Sequence, residues 1–119
     1  MIMDPAAITR LEEIGGVQLV RTLATLVLDE LPARLARVEA AVASRDAAEL
    51  APAAHSLIST TGNFGAFAVS ELARRIEIAS PAEEWDGLAR DAAQLGTLTR
   101  AFLTELEGVR MSLGNDGHG

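Results

Sequence analysis

Apolar side chains recur along this chain of 119 residues at intervals of three and four, the period of a helix that buries one face. The pattern opens at Asp4-Pro5, a capping residue followed by a proline at the first helical position, and stops at Gly15-Gly16. A short helix is predicted between them. A long amphipathic segment follows from about Val17 to Ser44, with Leu19, Leu23, Leu26, Val27, Leu31, Leu35, Val38 and Val42 as its apolar positions. Pro32 lies inside it and predicts a kink or break, because proline lacks an N–H and its ring crowds the preceding turn. Arg45-Asp46 supplies a turn and a cap for a helix over Ala47 to Thr61, which contains Pro52. Gly62-Asn63-Phe64-Gly65 reads as a helix end and a tight turn.

The next helix covers Ala66 to Ala79, with Val69, Leu72 and Ile76 on one face. Ser80-Pro81-Ala82-Glu83 has the form of a capping box: Ser80 caps, Pro81 takes the first helical position and Glu83 closes it. A last helix is predicted from there to about Leu113, through Trp85, Leu88, Ala92, Leu95, Leu98, Phe102, Leu106 and Val109. Gly96 weakens it by about 1 kcal/mol relative to alanine. No strand pattern is present. The predicted fold class is all-α, an antiparallel four-helix bundle with the short N-terminal helix as a cover. Residues 1–113 are read as one domain and residues 114–119 as a flexible polar tail.

Composition fits that picture and narrows the chemistry. Hydrophobic residues make up 49% of the chain but aromatics only 3%, with no tyrosine, so alanine, leucine and valine must fill the core of a packed globule. The net charge is −7, with 17 acidic residues against 10 basic ones, and no basic stripe exists to displace counterions from a nucleic acid. All ten basic residues are arginines; there is no lysine. Cysteine is absent, which excludes disulfides, thiolate metal sites and cysteine nucleophiles. Met1 to Arg10 has no secretory-signal form, and the longest strongly apolar run, Leu23 to Leu28, is too short to span a bilayer. The expectation is a cytoplasmic protein without a membrane partner.

Two histidines are present, and His118 falls in the tail, which leaves His55. At 100° per residue, Leu50, Ala54, Leu57 and Thr61 share the core face of their helix, and His55 points away from it. Its neighbours one and two turns along, Ala51, Ser59 and Gly62, are all small, so another protein's active site can close over the imidazole. Ile58 adds one apolar side chain to the same flank. An exposed imidazole is substantially neutral near neutral pH and nucleophilic at nitrogen, which suits phosphoryl transfer. The hydroxyls of Ser56, Ser59, Thr60 and Thr61 have no base–acid pair to activate them. One internal histidine without cysteine gives too few ligands for a metal site. Phe64 and Phe67 belong either to the core or, with Ile58, to an apolar docking surface. Arg74-Arg75 is either a solvated pair or a source of positive charge near His55.

The run Ala54-His55-Ser56-Leu57-Ile58-Ser59-Thr60-Thr61-Gly62-Asn63-Phe64-Gly65-Ala66 resembles the signature of the histidine-containing phosphotransfer (HPt) family. That signature reads roughly A-H-x-L-K-G-[SA]-[SA]-x-x-[LF]-G-[AL], followed by an apolar helix ending near L-E. Leu72 and Ile76-Glu77 stand at matching positions of that helix. The similarity also takes in Asp4-Pro5-Ala6 with Leu11, the Gly15-Gly16 break, Leu31-Pro32 and Arg45-Asp46, so it covers residues 4–110.

The resemblance implies a four-helix bundle with His55 as solvent-facing phosphoacceptor. It implies a carrier between receiver-domain aspartates in a two-component multistep phosphorelay, without kinase activity of its own. The implied partners are response-regulator receiver domains and a sensor histidine kinase, and the implied oligomeric state is a monomer. No cofactor is implied, because the receiver supplies the Mg²⁺. Ala51, Ile58, Ser59, Gly62, Asn63 and Gly65 would flank the site or dock the partner. Two positions depart from the signature: its lysine is Ile58 and its glycine is Ser59. An exposed lysine–phosphoryl pair is worth about 0.2 to 1 kcal/mol, so its loss weakens a carrier without disabling it, and the Ser59 hydroxyl can donate to a phosphoryl oxygen. Ile58 also leaves room for a pseudo-HPt docking module that binds a receiver or kinase without being phosphorylated. A third reading is the phosphoacceptor domain of a larger chemotaxis-type kinase, which predicts further domains; the start at Met1 and the polar tail weigh against it.

Overall fold

The computed structural model describes the backbone of residues 1–116 and the side chains of residues 1–113. Its elements are α1 (Pro5–Ala43), α2 (Ala47–Asn63), α3 (Phe67–Ala79), a 3₁₀ turn (Ser80–Ala82) and α4 (Trp85–Asp116). No strand occurs among the described residues, so the chain is all-helical with four helices, as the apolar period predicts. No helix of the structure is long and apolar enough to cross a membrane.

Helix α1 starts where the sequence places a cap: the Asp4 carboxylate accepts from the Ala6 N–H at 3.0 Å. Its backbone leaves helical geometry at Gly16, with φ 72°, a value glycine adopts without a Cβ penalty. Two arms result, residues 5–15 and 17–43. Asp4 donates its N–H to the Gly65 carbonyl at 3.1 Å. The N–H groups of Ile2 and Met3 donate to the Glu105 carboxylate at 2.6 and 3.1 Å. With Met3 and Ala7 buried, these bonds tie the first arm to the α2–α3 turn and to α4.

Helix α1 is not broken at Pro32, where the sequence predicts a kink or break. Gly16 is the non-helical residue within α1, and the helix runs through Pro32, as α2 runs through Pro52. Both prolines are exposed while Leu31, Leu35, Leu50, Ala53 and Ala54 are buried. Burial of the opposite face therefore outweighs one missing backbone bond. The capping box at Ser80 is also not formed. Ser80 is buried, its hydroxyl donates back to the Glu77 carbonyl at 3.1 Å, and the 3₁₀ turn simply continues α3. Glu83 sits in the left-handed region at φ 54°, and α4 begins at Trp85, with Glu84 accepting the first helical bond from Leu88.

The core is built from all four helices, with Leu31, Leu50, Leu57, Ile76, Leu95 and Leu106 among its fully buried members. Phe64 and Phe102 pack with ring centroids 6.3 Å apart and planes tilted by 52°, a favourable aromatic geometry. Arginines bridge neighbouring helices: Arg37 to Glu49 between α1 and α2, Arg75 to Asp91 between α3 and α4, Arg100 to Glu39 between α4 and α1. Gly96 has a use its helix propensity does not suggest. A Cβ there would lie 2.7 Å from Arg100 Nη1 and 3.3 Å from Glu39 Oε2, so the glycine leaves room for that bridge. Helix α4 reaches Asp116; the remainder of the predicted tail, His118 included, lies outside the described residues.

Candidate functional site

Helix α2 begins as the sequence predicts, with Arg45 in the left-handed region and the Asp46 carboxylate accepting from the Glu49 N–H at 3.1 Å. Its apolar stripe faces inward: Leu50, Ala54, Leu57 and Thr61 are all fully buried. The Thr61 hydroxyl is satisfied by donating to the Leu57 carbonyl at 2.7 Å. His55 is on the opposite side, its side chain 69% exposed. Ala51 and Gly62 are half-buried and Ser59 is exposed, so nothing bulky overhangs the ring along its own helix.

The turn into α3 is closed by Gly65 at φ 72° and by bonds from Gly65 and Ala66 N–H to the Gly62 and Thr61 carbonyls, at 2.9 and 3.0 Å. Two contacts then fix the register of α2 against α3. A Cβ on Gly62 would lie 3.9 Å from Ser70 Cβ, and His55 Nδ1 lies 2.9 Å from Glu77 Oε2. Two turns back along α2 thus correspond to two turns forward along α3. The carboxylate beside Nδ1 favours the proton on that nitrogen, which leaves the lone pair on Nε2. Nε2 has no hydrogen-bond partner among the described residues. The arrangement is a nucleophilic nitrogen facing solvent, with an acid group behind it able to balance charge on the ring.

Glu77 is the site residue that sequence reasoning missed. It was visible only as a match to a motif. The signal that identifies it is distance from the turn: His55 lies about as far before Gly65 as Glu77 lies after it. Arg34 was missed as well. It donates through Nη1 to the Ser56 carbonyl at 2.9 Å and the Thr60 hydroxyl at 3.0 Å, and through Nη2 to Glu30 at 2.9 Å. This arginine seals the α1 side of α2 behind the histidine, above a shallow groove lined by Leu23, Leu26, Thr60, Asn63 and Phe64.

Several expected flanking residues are placed differently. Gly65 is buried under the N-terminal segment, and a Cβ on it would meet Asp4 Cβ at 2.7 Å. Ile58 is half-buried and packed against the core. Phe64 belongs to the core while Phe67 is 48% exposed. Asn63 and Ser59 are exposed. Arg75 turns to Asp91 on α4, with Nε to Oδ2 at 3.2 Å. Among the described residues no group of three or more histidine, cysteine or acidic side chains is placed to hold a metal ion.

Neither the curated proteins nor the solved structures contain a match to this chain. A family model described as the Hpt domain matches residues 22–110, from the second arm of α1 through α2 and α3 and along most of α4. That match takes in His55, Glu77 and every helix that positions them, and the chain belongs to the Hpt domain family.

Proposed function

We propose that this protein carries a phosphoryl group on Nε2 of His55 between receiver-domain aspartates of a multistep phosphorelay, on an antiparallel four-helix bundle. The observation that carries the reading is the state of His55, 69% exposed with Nδ1 at 2.9 Å from the Glu77 carboxylate and Nε2 turned to solvent. In the forward step the Nε2 lone pair attacks the phosphorus of an aspartyl phosphate. A P–N bond forms, the bond between phosphorus and the bridging carboxyl oxygen breaks, and the aspartate leaves as a carboxylate. The proton stays on Nδ1, and the positive charge of the phosphorylated ring is balanced by Glu77. The reverse step hands the group to a second receiver.

The chain contributes the nucleophile and the docking face; the receiver contributes the acidic pocket and Mg²⁺, so no cofactor is bound here and no autonomous kinase activity is expected. Receivers and a sensor histidine kinase are the partners, with the protein acting as a cytoplasmic monomer. Ala51, Ser59 and Gly62 keep the approach to the ring open, and Ser59 offers a hydroxyl beside it.

Ile58 favours a second reading. An apolar side chain stands where the family signature has lysine, as in a docking module that binds a receiver without accepting phosphate. Incubation with a panel of phosphorylated receiver domains separates the two. Acid-labile, base-stable label on the wild type and none on His55→Gln is the expected result. Tight receiver binding without any label on the wild type would put the docking module in its place.

A further inference from the structure

We propose that Arg74 is the cation that holds the phosphoryl group while His55 carries it; this rests on the carrier reading above. A phosphoryl group adds about −1.5 to −2 charges near neutral pH. Here it arrives on a chain of net charge −7 and beside a ring whose other nitrogen already faces Glu77. A neighbouring cation offsets that charge, and in a chain without lysine the strongly basic candidates are arginines.

Most arginines are committed elsewhere. Arg34 serves Glu30, Ser56 and Thr60, Arg75 serves Asp91, and Arg100 serves Glu39. Arg74 makes no hydrogen bond or ion pair among the described residues and is exposed. Its position follows from the register. Ser70 lies across from Gly62 and Glu77 across from His55, so the turn between them on α3 lies across from Ile58 and Ser59. Of the two residues at that level, Ala73 is fully buried and Arg74 takes the outer edge, one turn from Glu77 on the solvent side.

Ile58 acquires a purpose in this arrangement. Half-buried and apolar, it offers a surface on which the methylene stem of Arg74 can lie while the charged head stays in water. The planar guanidinium can then donate two parallel hydrogen bonds to phosphoryl oxygens, a geometry that a single ammonium does not provide.

The test uses the full chain phosphorylated by phosphoramidate, a small donor that needs no partner. The acid dissociation of the phosphohistidine phosphoryl group is followed by ³¹P NMR. In Arg74→Gln that dissociation constant should fall about two- to fivefold, the size expected of an exposed ion pair. Arg74→Lys should recover most of it, and Arg75→Gln should titrate with the wild type. If Arg74→Gln titrates with the wild type, the assignment is overturned while the carrier reading stands. If the wild type shows no phosphohistidine resonance, the carrier reading falls and takes this inference with it.

Discussion

Between α2 and α3 the chain turns within Phe64 to Ala66, and the two helices then meet through small side chains. Gly62 lies against Ser70, and Ala54 and Ala73 are fully buried. Helices α1 and α4, of 39 and 32 residues, are distant in sequence and are bridged at the surface by long side chains. Arg100 reaches Glu39, and Arg21 reaches the Leu113 carbonyl at 2.8 Å. The first pair sets register through backbone proximity, which tolerates little play. The second is aligned along a buried apolar seam, to which the flexible surface arms add little. His55 and Glu77 sit on the pair that can hold two side chains at hydrogen-bonding distance, and the long pair lends buried apolar length. Placement and stability are thus largely assigned to different halves of the molecule.

That division can be tested by substitution. The largest effect is expected at Phe102, where the long pair grips the hairpin turn through Phe64. Phe102→Ala should cost about 3 to 5 kcal/mol in denaturant unfolding; a loss well under that would mean the aromatic contact is not what joins the halves. Gly65→Ala should cost about 1 to 3 kcal/mol, because it forces a side chain into the left-handed region and against Asp4, whose backbone nitrogen is 2.8 Å from the added carbon. Thermal unfolding measures that cost. Phosphoramidate labelling of His55 in the same variant shows whether register was lost with it. Glu39→Gln should change stability by only about 0.2 to 1 kcal/mol, since both partners of its bridge are largely solvated. A larger loss in urea unfolding would show that this charge pair, and not the apolar seam, aligns α1 with α4.

What the sequence discloses divides along similar lines. Periodicity within one helix is a local property, so the inward face of α2 and the outward aim of His55 are readable from spacing alone. Gly15-Gly16 and Asp46 are readable for the same reason, as local backbone chemistry. Pro32 does not end its helix because the outcome depends on which face is buried, and that is decided by Leu31 and Leu35 packing elsewhere. Ser80 misleads because its hydroxyl has a choice between the following helix and the preceding one, and burial selects the Glu77 carbonyl. Gly65 is readable as a turn glycine, but its burial under Asp4 and the packing of Ile58 against the core depend on other segments of the chain. The placement of Glu77 beside His55 and of Arg34 against Ser56 and Thr60 comes only from the register between helices, which no single-helix pattern contains.

Gly16 has a consequence for how the molecule comes apart. A continuous helix passes fraying from one turn to the next along its hydrogen-bond ladder, but the ladder of α1 is interrupted at this residue. The first arm can therefore detach as a unit, giving up the burial of Met3 and Ala7 and the bonds to Gly65 and Glu105, while residues 17–43 keep their winding. Gly16 thus sets a boundary between two arms of α1: the contacts of the first can be given up without unwinding residues 17–43, which carry the core.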